Sequence, residues 1–467
     1  MPESWVNLGE RLGADLHLEL AGTGGKRAAL ITALRAAVRT GRLAPGTRLP
    51  PYRSLAADLG LARNTVADAY AELVAEGWLT AVQGSGTRVA SRAEPLPAAR
   101  TPKKAPGVPA PRHNLRQGQP DATSFPRAEW LAAARRALNV APHDAFGPGD
   151  PRGRRELREA LAGYLARARG VRTSPERIVV CSGFAHALRV LFPAVLPGPL
   201  AVEAYGLAFH RAIFAAAGVG TIPLALDENG ARVDDLGVPT VLLTPAHQFP
   251  TGGPLHHDRR AAVLDHVRTS GGLLVEDDYD GEFRYDRKPV GAVQGLDPEH
   301  VVYVGSVSKS LSPALRLGWL VLPDHLVDAV LAAKGEREAW AGVVDQLTLA
   351  EFVSSGAYDR HIRRMRQRYR RRRDLLVRAL AERAPHVVPT GIAAGLHAVL
   401  RLPPGTERSA VKGAAWQGLA LDGLAAFRHP ASTMSTMDGL VVGYATPPEH
   451  AYPAALDALC RALPPAS

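Results

Sequence analysis

Residues 275–319 contain two segments that decide the fold class: V-E-D-D-Y-D-G-E-F-R-Y at 275–285 and V-Y-V-G-S-V-S-K-S-L-S-P-A-L-R-L-G-W at 302–319. Each follows or contains a short apolar run that is typical of a buried strand, so each places polar side chains just beyond a strand end. The first segment places Asp277 and Tyr279 there, and the second places Lys309. In open α/β sheets, ligands bind in the crevice beyond the carboxyl ends of the strands. The pattern therefore predicts a cleft lined by an amine, a carboxylate and a phenol.

These residues form an ordered set, Asp-x-Tyr followed by Ser-x-x-Lys-x6-Arg. A lysine in a cleft can form a Schiff base, and a buried carboxylate such as Asp277 can pair with a protonated pyridine nitrogen. The phenol of Tyr279 can bond a 3-oxygen, and Arg316 can hold a phosphate. Any one of these residues alone would more often lie in a solvated loop. Together they match the requirements of pyridoxal 5'-phosphate, with Lys309 as the Schiff-base residue.

Length and composition exclude several classes of protein. At 467 residues the chain is long enough for about two or three domains, and its hydrophobic content of 46% is enough for a large core. No run of 18 apolar residues occurs, and the first residues do not resemble a signal peptide. We therefore expect a cytoplasmic protein with no membrane partner. Cys181 and Cys460 lack metal-ligand spacing, which fits a reducing compartment and core positions.

The net charge of +11 is unevenly distributed. Residues 91–113 carry five Lys or Arg against one Glu, together with six prolines. Such a segment cannot build a core and is expected to be an extended, semi-rigid linker. It could attract phosphates non-specifically, or it could be a solvated linker with no partner. The predicted domains are therefore 1–90 and 114–467, joined by this basic linker.

The first domain has the pattern of a winged helix-turn-helix. Helices are predicted at 28–39, 53–59 and 61–77, and a hairpin at 78–89. Gly60 lies in the turn between the second and third helices, and Gly77 ends the third. The residues Gln83-Gly84-Ser85-Gly86 favour a tight turn between two strands, which would form the wing.

This domain resembles the winged helix of GntR-type regulators through G-R-L-A-P-G-T-R-L-P-P-Y-R-S-L-A, L-G-L-A-R-N-T-V-A-D-A-Y, E-G-W-L and G-S-G-T-R-V. The resemblance implies that the third helix reads the major groove and that the second helix and the wing add contacts. The DNA-binding residues so assigned are Arg53, Arg63, Asn64, Thr65, Gly84, Gly86 and Arg88. The chain departs from the family at Pro51-Tyr52 and Ala62, which affects one or two phosphate contacts rather than the fold. A small helical bundle that only packs on the larger domain is the alternative.

From residue 114 onward, strand-like runs alternate with helical patterns. This alternation predicts an α/β domain with a mainly parallel sheet and helices on both faces. With a winged helix ahead of it, the chain resembles the MocR subfamily of GntR-type regulators, and within it the PdxR-like branch. The resemblance implies a fold-type I aminotransferase-like domain with a small C-terminal subdomain. It also implies a domain-swapped homodimer that binds operator DNA and senses pyridoxal 5'-phosphate or an amine or amino-acid effector.

The resemblance assigns roles in the cofactor site residue by residue. It implies that Lys309 carries the cofactor, that Asp277 pairs with the pyridine nitrogen and that Tyr279 bonds the 3-oxygen. Ser306 and Arg316 are implied phosphate ligands.

Further residues are assigned by the same resemblance. The turn Gly183-Phe184-Ala185 opens a helix, where N–H groups favour the phosphate anion. His247 and Gln248 would lie beside the 3-oxygen, with a structural role as the alternative for a lone histidine. Arg428 would bind a ligand carboxylate, and a surface arginine is an equally good interpretation. No metal is implied.

Several family positions are altered. A tyrosine that would reach the partner subunit's phosphate is Phe146, and the residue expected to stack on the pyridine ring is Leu207 unless Tyr205 or Phe209 replaces it. The phosphate turn reads Phe184-Ala185-His186 instead of small-Gln-Gln. Loss of a charged hydrogen bond costs about 1.5–3 kcal/mol, so we expect weaker, reversible cofactor binding that suits a sensor.

The run I-R-R-M-R-Q-R-Y-R-R-R-R-D at 362–374 has two interpretations. Ile362, Met365 and Tyr369 fall at helical spacing, which favours a buried stripe with a solvated basic face. A protein interface or DNA contact is the alternative.

Two classes of function compete. One is a transcriptional regulator that uses the cofactor site as a sensor, with residual half-transamination possible. The other is an aminotransferase that carries an accessory DNA-binding domain. The complete winged helix favours the regulator, so we do not expect the protein to act mainly as an enzyme. Among regulators, control of vitamin B6 synthesis is preferred, and amine or amino-acid catabolism is the rival. Sequence does not reveal the operator, the target genes or the direction of control.

Overall fold

A computed structural model describes residues 18, 20, 25–82, 86–91, 111–196, 198–234, 236–285, 290–335 and 341–465. The chain divides into two compact units, Met1–Val108 and Pro109–Ser467. Most of the linker predicted at 91–113 lies outside the described residues. Within the described ranges, no helix is both long enough and apolar enough to cross a membrane.

Three helices and a hairpin form the N-terminal unit: α1 (Lys26–Arg39), α2 (Tyr52–Asp58), α3 (Arg63–Ala75), β1 (Leu79–Val82) and β2 (Gly86–Val89). One buried core joins them and includes Leu34, Val66 and Leu73, because apolar side chains recur at helical spacing. β1 and β2 pair antiparallel, with Leu79 opposite Val89. The predicted winged helix-turn-helix is confirmed, although β2 begins at Gly86, inside the predicted turn.

The large unit alternates strands and helices. Its strands are β3 (His113–Asn114), β4 (Ile178–Cys181), β5 (Leu200–Glu203), β6 (Thr221–Leu224), β7 (Leu226–Asp227), β8 (Gly230–Ala231), β9 (Thr240–Leu243), β10 (Leu273–Asp277), β11 (Val301–Ser306), β12 (Gly318–Val321), β13 (Val388–Thr390), β14 (Ala398–Arg401), β15 (Leu419–Ala420), β16 (Asp422–Gly423) and β17 (Gly439–Val442). Its helices are α4 (Arg127–Val140), α5 (Arg155–Arg169), α6 (Phe184–Leu191), α7 (Ala208–Ala216), α8 (His257–Ser270), α9 (Val327–Lys334), α10 (Val343–Ser354), α11 (Ala357–Arg383), α12 (Glu407–Trp416) and α13 (Tyr452–Ala462).

The central sheet has seven strands in the order β4, β12, β11, β10, β9, β5 and β6. The five strands from β11 to β6 are parallel neighbours, whereas β12 runs antiparallel to both β11 and β4. Alternate residues of β11 enter different cores: Tyr303 packs with residues of α5 and α10, and Val302 packs with residues of α6 and α9. Helices therefore cover both faces, and the predicted mainly parallel α/β fold is confirmed. Asp277 at the end of β10 lies opposite Val304, so β10 and β11 open on the same edge.

A small C-terminal subdomain follows α11. Its antiparallel sheet has the order β13, β14, β17 and β16. Ile362, Met365 and Tyr369 of α11 are buried, as the periodicity predicted. Arg372 departs from the predicted solvated basic face, because it is fully buried and its guanidinium bonds Asp121 at 3.1 Å. Of the two cysteines, Cys181 is buried as expected, whereas Cys460 is only partly buried.

Candidate functional site

A cavity of about 390 Å³ lies at the carboxyl ends of β5, β9, β10 and β11. Its lining includes most residues assigned to the cofactor from sequence: Phe184, Ala185, Asp277, Tyr279, Ser306, Lys309 and Arg316. The assigned residues that do not line it are Gly183, His247, Gln248 and Arg428. Neighbouring parallel strands end at one edge of the sheet, so residues distant in sequence converge there.

Lys309 lies three residues beyond the end of β11. Its ammonium donates a hydrogen bond to the carbonyl of Gly118. A Cβ added at Gly118, where φ is +81°, would lie 3.1 Å from Nζ, so a glycine permits this close approach. Burial lowers the pKa of Lys309, and the negative charge of Asp277 opposes that shift. A lowered pKa increases the fraction of neutral amine, which is the form that attacks a carbonyl group.

Asp277 supplies a carboxyl group to the lining of the cavity. Burial raises its pKa well above the ordinary value, the charge of Asp278 raises it further, and Lys309 opposes the shift. In contrast, Asp278 is tied to the guanidinium of Arg169 by an ion pair of 2.6 Å. A cationic ligand, such as a protonated pyridine nitrogen, would favour the ionised form of Asp277 and could donate a hydrogen bond to it.

Arg316 and the turn after β4 form an anion cradle. Arg316 has a φ of 52°, the one positive value for a non-glycine residue within the described ranges. Strained backbone of this kind is concentrated at functional sites. Its guanidinium lies against Gly183, where an added Cβ would be 3.7 Å from Nη1. Gly183 immediately precedes α6, whose first N–H groups favour an anion. With the hydroxyl of Ser306, these groups fit a phosphate in charge and in hydrogen-bond donors.

The hydroxyl of Tyr279 is hydrogen-bonded to a histidine, His247. This hydroxyl lies 2.9 Å from Nδ1 of His247, which is also 2.8 Å from a carboxylate oxygen of Asp280. The amide of Gln248 donates to the carbonyls of Tyr205 at 3.1 Å and Phe249 at 2.6 Å. His247 and Gln248 therefore contact the residues around the cavity and not its interior, which makes them candidates for positioning roles.

The structure shows where the positions that depart from the family pattern lie. Leu207, Tyr205 and Phe209 all line the cavity. The lining therefore does not single out one of the two aromatic residues as the one that stacks on the pyridine ring in place of Leu207. Phe146 is 54% exposed and does not line the cavity. In the phosphate turn, the Ser182 N–H donates to Nδ1 of His186 at 3.0 Å, so this N–H already has a partner within the chain.

Sequence patterns missed Arg211, which lies on α7 and lines the cavity. Its guanidinium donates to the carbonyls of Gly206 at 2.8 Å, Phe427 at 3.2 Å and Arg428 at 3.3 Å. Burial lowers its pKa, and within the described residues it forms no ion pair with a carboxylate. By contrast, Arg428 donates to the carbonyls of Ser432 at 2.6 Å and Met434 at 2.7 Å. Arg211, and not Arg428, is thus the arginine of this pair that lines the cavity.

Glu203 is a second acid in the cavity that sequence patterns missed. It ends β5 and accepts a hydrogen bond of 2.6 Å from the hydroxyl of Thr244. Burial raises the pKa of Glu203 to about 7, although the hydrogen bonds from Thr244 and Gln248 oppose the shift. Its carboxyl group therefore changes protonation near neutral pH.

The residues present fit pyridoxal 5'-phosphate at each end of the cavity. Arg316, Ser306 and the start of α6 would hold the phosphate, Asp277 the pyridine nitrogen and Tyr279 the 3-oxygen. Lys309 would carry the cofactor. When bound, pyridoxal 5'-phosphate supplies a carbonyl that condenses with amines and an electron-withdrawing ring.

The N-terminal unit presents a separate, basic surface. Arg63 and Asn64 are exposed and Thr65 is partly buried, all in the first turn of α3, and Arg53 is exposed on α2. Exposed donors at the start of such a helix can reach base edges and phosphates.

The wing completes this surface. Gly86 and Arg88 are exposed on β2, whereas Gly84 lies outside the described residues. Sequence patterns missed Arg48, whose backbone forms an isolated antiparallel β-bridge with Arg88. Its side chain lies beside Gly86, where an added Cβ would be 3.2 Å from Nε. Arg48 therefore adds a guanidinium group beside the wing.

A winged helix-turn-helix followed by an aminotransferase fold with a lysine-containing cofactor cavity defines a class, the helix-turn-helix regulators with an aminotransferase-like domain. Comparison with family models agrees: residues 26–89 match "Bacterial regulatory proteins, gntR family", and residues 112–422 match "Aminotransferase class I and II". The chain belongs to the MocR type of GntR-family transcriptional regulators. It is a DNA-binding regulator whose large domain is built for pyridoxal 5'-phosphate.

Individual relatives support this assignment. The pyridoxine biosynthesis transcriptional regulator PdxR of Corynebacterium glutamicum is 34% identical over 374 residues, which cover 79% of this chain and 81% of that protein. The probable rhizopine catabolism regulatory protein MocR of Rhizobium meliloti is 33% identical, over 74% of this chain and 75% of that protein. The kynurenine aminotransferase of Pyrococcus horikoshii, solved with PMP, matches with a TM-score of 0.67 and 25% identity, over 75% of this chain and 90% of that one.

Proposed function

We propose that this regulator changes its binding to operator DNA when pyridoxal 5'-phosphate, or an amine that reacts with it, occupies the cavity. The observation that carries the proposal is the presence in one chain of an exposed recognition helix beginning at Arg63 and a cavity that joins Lys309 to Asp277. A ligand can shift a protein between two states only if it binds them unequally. The cavity provides the differential contacts, and the winged helix provides the output.

Control of vitamin B6 synthesis is the preferred pathway, with the cofactor itself as effector. Leu207 at the stacking position and Phe146 at the position expected to reach a partner phosphate each remove a contact. Loss of such contacts weakens binding and makes occupancy responsive to the free cofactor concentration. The name of the PdxR relative, which refers to pyridoxine biosynthesis, supports the same pathway.

Control of amine or amino-acid catabolism is the second candidate. Arg211 supports it, because a partly buried guanidinium that within the described residues is bonded only to carbonyls could pair with a ligand carboxylate. The MocR relative carries a name that refers to catabolism of a small molecule. An aminotransferase with an accessory DNA-binding domain is the remaining alternative.

A homodimer is part of the proposal. Leu131, Leu138 and Val140 of α4 are 62%, 39% and 81% exposed, and Phe146 lies on the turn that follows. An exposed apolar surface of this kind is typical of a protein interface. A second copy of the chain would cover it and would bring a second recognition helix, as an operator with two half-sites requires.

Gel-shift titrations with and without pyridoxal 5'-phosphate, on DNA from the regulator's own promoter region, test the proposal. We expect the cofactor to change affinity or footprint, and Asp277→Ala to weaken that response while ligand-free DNA binding is retained. A parallel transamination assay with common amino donors covers the enzyme alternative. Efficient multiple turnover without any effect of cofactor or amine on DNA binding would overturn the sensor and favour the enzyme.

A further inference from the structure

A second cleft lies on the large unit between α5, α11 and the loop that follows β10. Its volume is about 480 Å³, which is within the range of small-molecule sites. Within the described residues it shares no lining residue with the cofactor cavity. The hydroxyl of Tyr358 lies 3.4 Å from a carboxylate oxygen of Glu282 in the cleft and 2.8 Å from Oγ of Ser310, which directly follows Lys309. The cleft is therefore close to the cofactor site and separate from it.

Arginine side chains dominate the lining of this cleft. Among the described residues, five arginines line it, against the two carboxylates of Glu282 and Asp359. Asp359 is already paired with the guanidinium of Arg167, at 3.0 and 3.1 Å. Arg366 donates to the backbone carbonyl of Glu282 at 2.9 Å, and Arg363 has neither a hydrogen bond nor an ion pair within the described part of the chain. The lining therefore carries positive charge that its own carboxylates do not balance.

The three arginines Arg167, Arg363 and Arg366 are placed to share one anion. Arg363 and Arg366 are three residues apart on α11, so they lie on the same face of that helix. Arg167 faces them from α5, where it is held by Asp359 and lies 5.8 Å from the centre of the Tyr164 ring. Like charges at this helical spacing repel each other, and a bound anion would offset that repulsion.

Glu282 is the carboxyl group that such an anion would meet. One of its oxygens is 3.4 Å from the hydroxyls of both Tyr164 and Tyr358. Burial, with a further contribution from the charge of Asp278, raises the pKa of Glu282 to about 7, although Arg169 opposes the shift. The neutral acid can donate a hydrogen bond to an oxyanion, whereas the ionised carboxylate would repel it.

We propose that this cleft binds the phosphate group of a small molecule, held by Arg363 and Arg366 on one side and by Arg167 on the other. Guanidinium groups match the oxygens of phosphate in charge and in geometry, and one phosphate can accept from several of them. Inorganic phosphate and phosphate esters share this chemistry. The regulator would thus have a second ligand site, apart from the phosphate cradle at Arg316.

Equilibrium dialysis of the full-length protein with radiolabelled sulfate tests the proposal. Sulfate has the shape and charge of a phosphate dianion and keeps that charge near neutral pH. The protein is loaded with pyridoxal 5'-phosphate, so that the cradle at Arg316 is already filled. We expect saturable binding of sulfate that inorganic phosphate displaces. Stronger displacement by glycerol 3-phosphate would identify an ester as the ligand, and weaker displacement would identify free phosphate.

Two variants and a control locate the bound sulfate. Arg363→Gln should weaken its binding about 10- to 100-fold, the effect of one charged hydrogen bond. The control, Arg370→Gln, alters an exposed arginine of α11 outside the cleft lining and should leave the affinity unchanged. Glu282→Gln should strengthen binding about five- to tenfold at pH 8, where most of Glu282 is ionised and repels the anion. A purely structural role of Glu282 would produce no such gain.

Four results would overturn the proposal. They are the absence of saturable sulfate binding, equal affinity in Arg363→Gln and Arg370→Gln, weaker binding in Glu282→Gln, and displacement of sulfate by a short DNA duplex but not by phosphate. The last result would assign the cleft to the DNA backbone. The absorbance of the bound cofactor, measured in each variant, confirms that the large unit is folded.

Discussion

The guanidinium of Arg316 lies beside Gly183, where an added Cβ would be in van der Waals contact with it, 3.7 Å from Nη1. The two residues are distant in sequence but come from neighbouring strands, because Gly183 follows β4, Arg316 precedes β12, and Cys181 pairs with Gly318. The pairing of β4 with β12 therefore brings this guanidinium to the turn that begins α6, and the two together form the anion cradle. Preorganised donors lose little entropy on binding, which strengthens the hold on a phosphate.

Arg316→Ala is expected to weaken pyridoxal 5'-phosphate binding about 10- to 100-fold, because a charged hydrogen bond contributes about 1.5–3 kcal/mol. Pyridoxal, which lacks the phosphate, should bind the variant and the unsubstituted protein almost equally. Fluorescence titration with both compounds measures the difference. An equal loss of affinity for pyridoxal would remove the assignment of Arg316 to the phosphate.

Lys309→Ala is expected to abolish covalent fixation of the cofactor by borohydride, because it removes the amine that carries the cofactor. Mass spectrometry after reduction and proteolysis measures which lysine is modified. Lys412→Ala, which alters an exposed lysine on α12, is the control and should label normally. Modification of another lysine in the unsubstituted protein would show that the assignment of Lys309 is wrong.

Asp277→Asn is expected to have opposite effects on stability and binding. Burial and the charge of Asp278 raise the pKa of Asp277, so its ionised form is disfavoured in the cofactor-free protein. The amide should therefore raise Tm at neutral pH while cofactor affinity falls about tenfold or more through loss of the pyridinium partner. Asp328→Asn, at an exposed site on α9, should change neither quantity. A decrease in both would indicate a structural role for Asp277.

Glu203 is expected to make stability depend on pH. Burial raises its pKa from the ordinary value of 4.5 to about 7, so between these pH values the folded protein holds a proton that the unfolded chain has released. The stability contributed by this proton is fully present below the lower value and is lost as pH rises through the window. Glu203→Gln removes the titration, so its stability relative to the unsubstituted protein should increase from about pH 5 to about pH 8. The exposed Glu228→Gln serves as a control with a constant difference in urea denaturation.

Arg63→Ala is expected to weaken operator binding by about 1–3 kcal/mol if the guanidinium contacts a base, and the salt dependence should become shallower if it contacts phosphate. Fluorescence anisotropy at several salt concentrations distinguishes these cases. Arg408→Ala removes the same charge from an exposed site on α12 and should leave affinity unchanged. Equal behaviour of the two variants would contradict the assignment of α3 as the recognition helix.

The sequence could predict the strand-end residues because their order along the chain reflects local structure. Asp277 and Lys309 each follow an apolar run, and a parallel sheet brings such strand ends together. The same local logic predicted the recognition helix from α-helical periodicity. This reasoning failed at Arg372, because a helical pattern of apolar residues does not reveal that Asp121, far away in sequence, bonds both Arg368 and Arg372 of the basic run.

The part of the cavity lining that includes Arg211 could not be predicted in this way. Arg211 lines the cavity on a segment that the small subdomain holds: the carbonyl of Phe427 accepts from the Gly206 N–H and from the Arg211 guanidinium. Such contacts depend on tertiary packing and leave no periodic signal. The resemblance instead drew attention to Arg428, whose backbone holds this segment while its side chain bonds neighbouring carbonyls.

The bond between Lys309 and the carbonyl of Gly118 has a consequence for ligand binding in the cavity. Gly118 lies seven residues after Pro111, which is the first described residue of the large unit and belongs to the predicted linker at 91–113. The hydroxyl of Thr446 ties the same turn to the small subdomain through the carbonyls of Arg116 and Gln119, at 2.7 and 3.0 Å. The amine of Lys309 therefore has two competing partners, an incoming ligand and the backbone turn at Gly118. A ligand that reacts with Lys309 must first break the hydrogen bond between its amine and the backbone at Gly118.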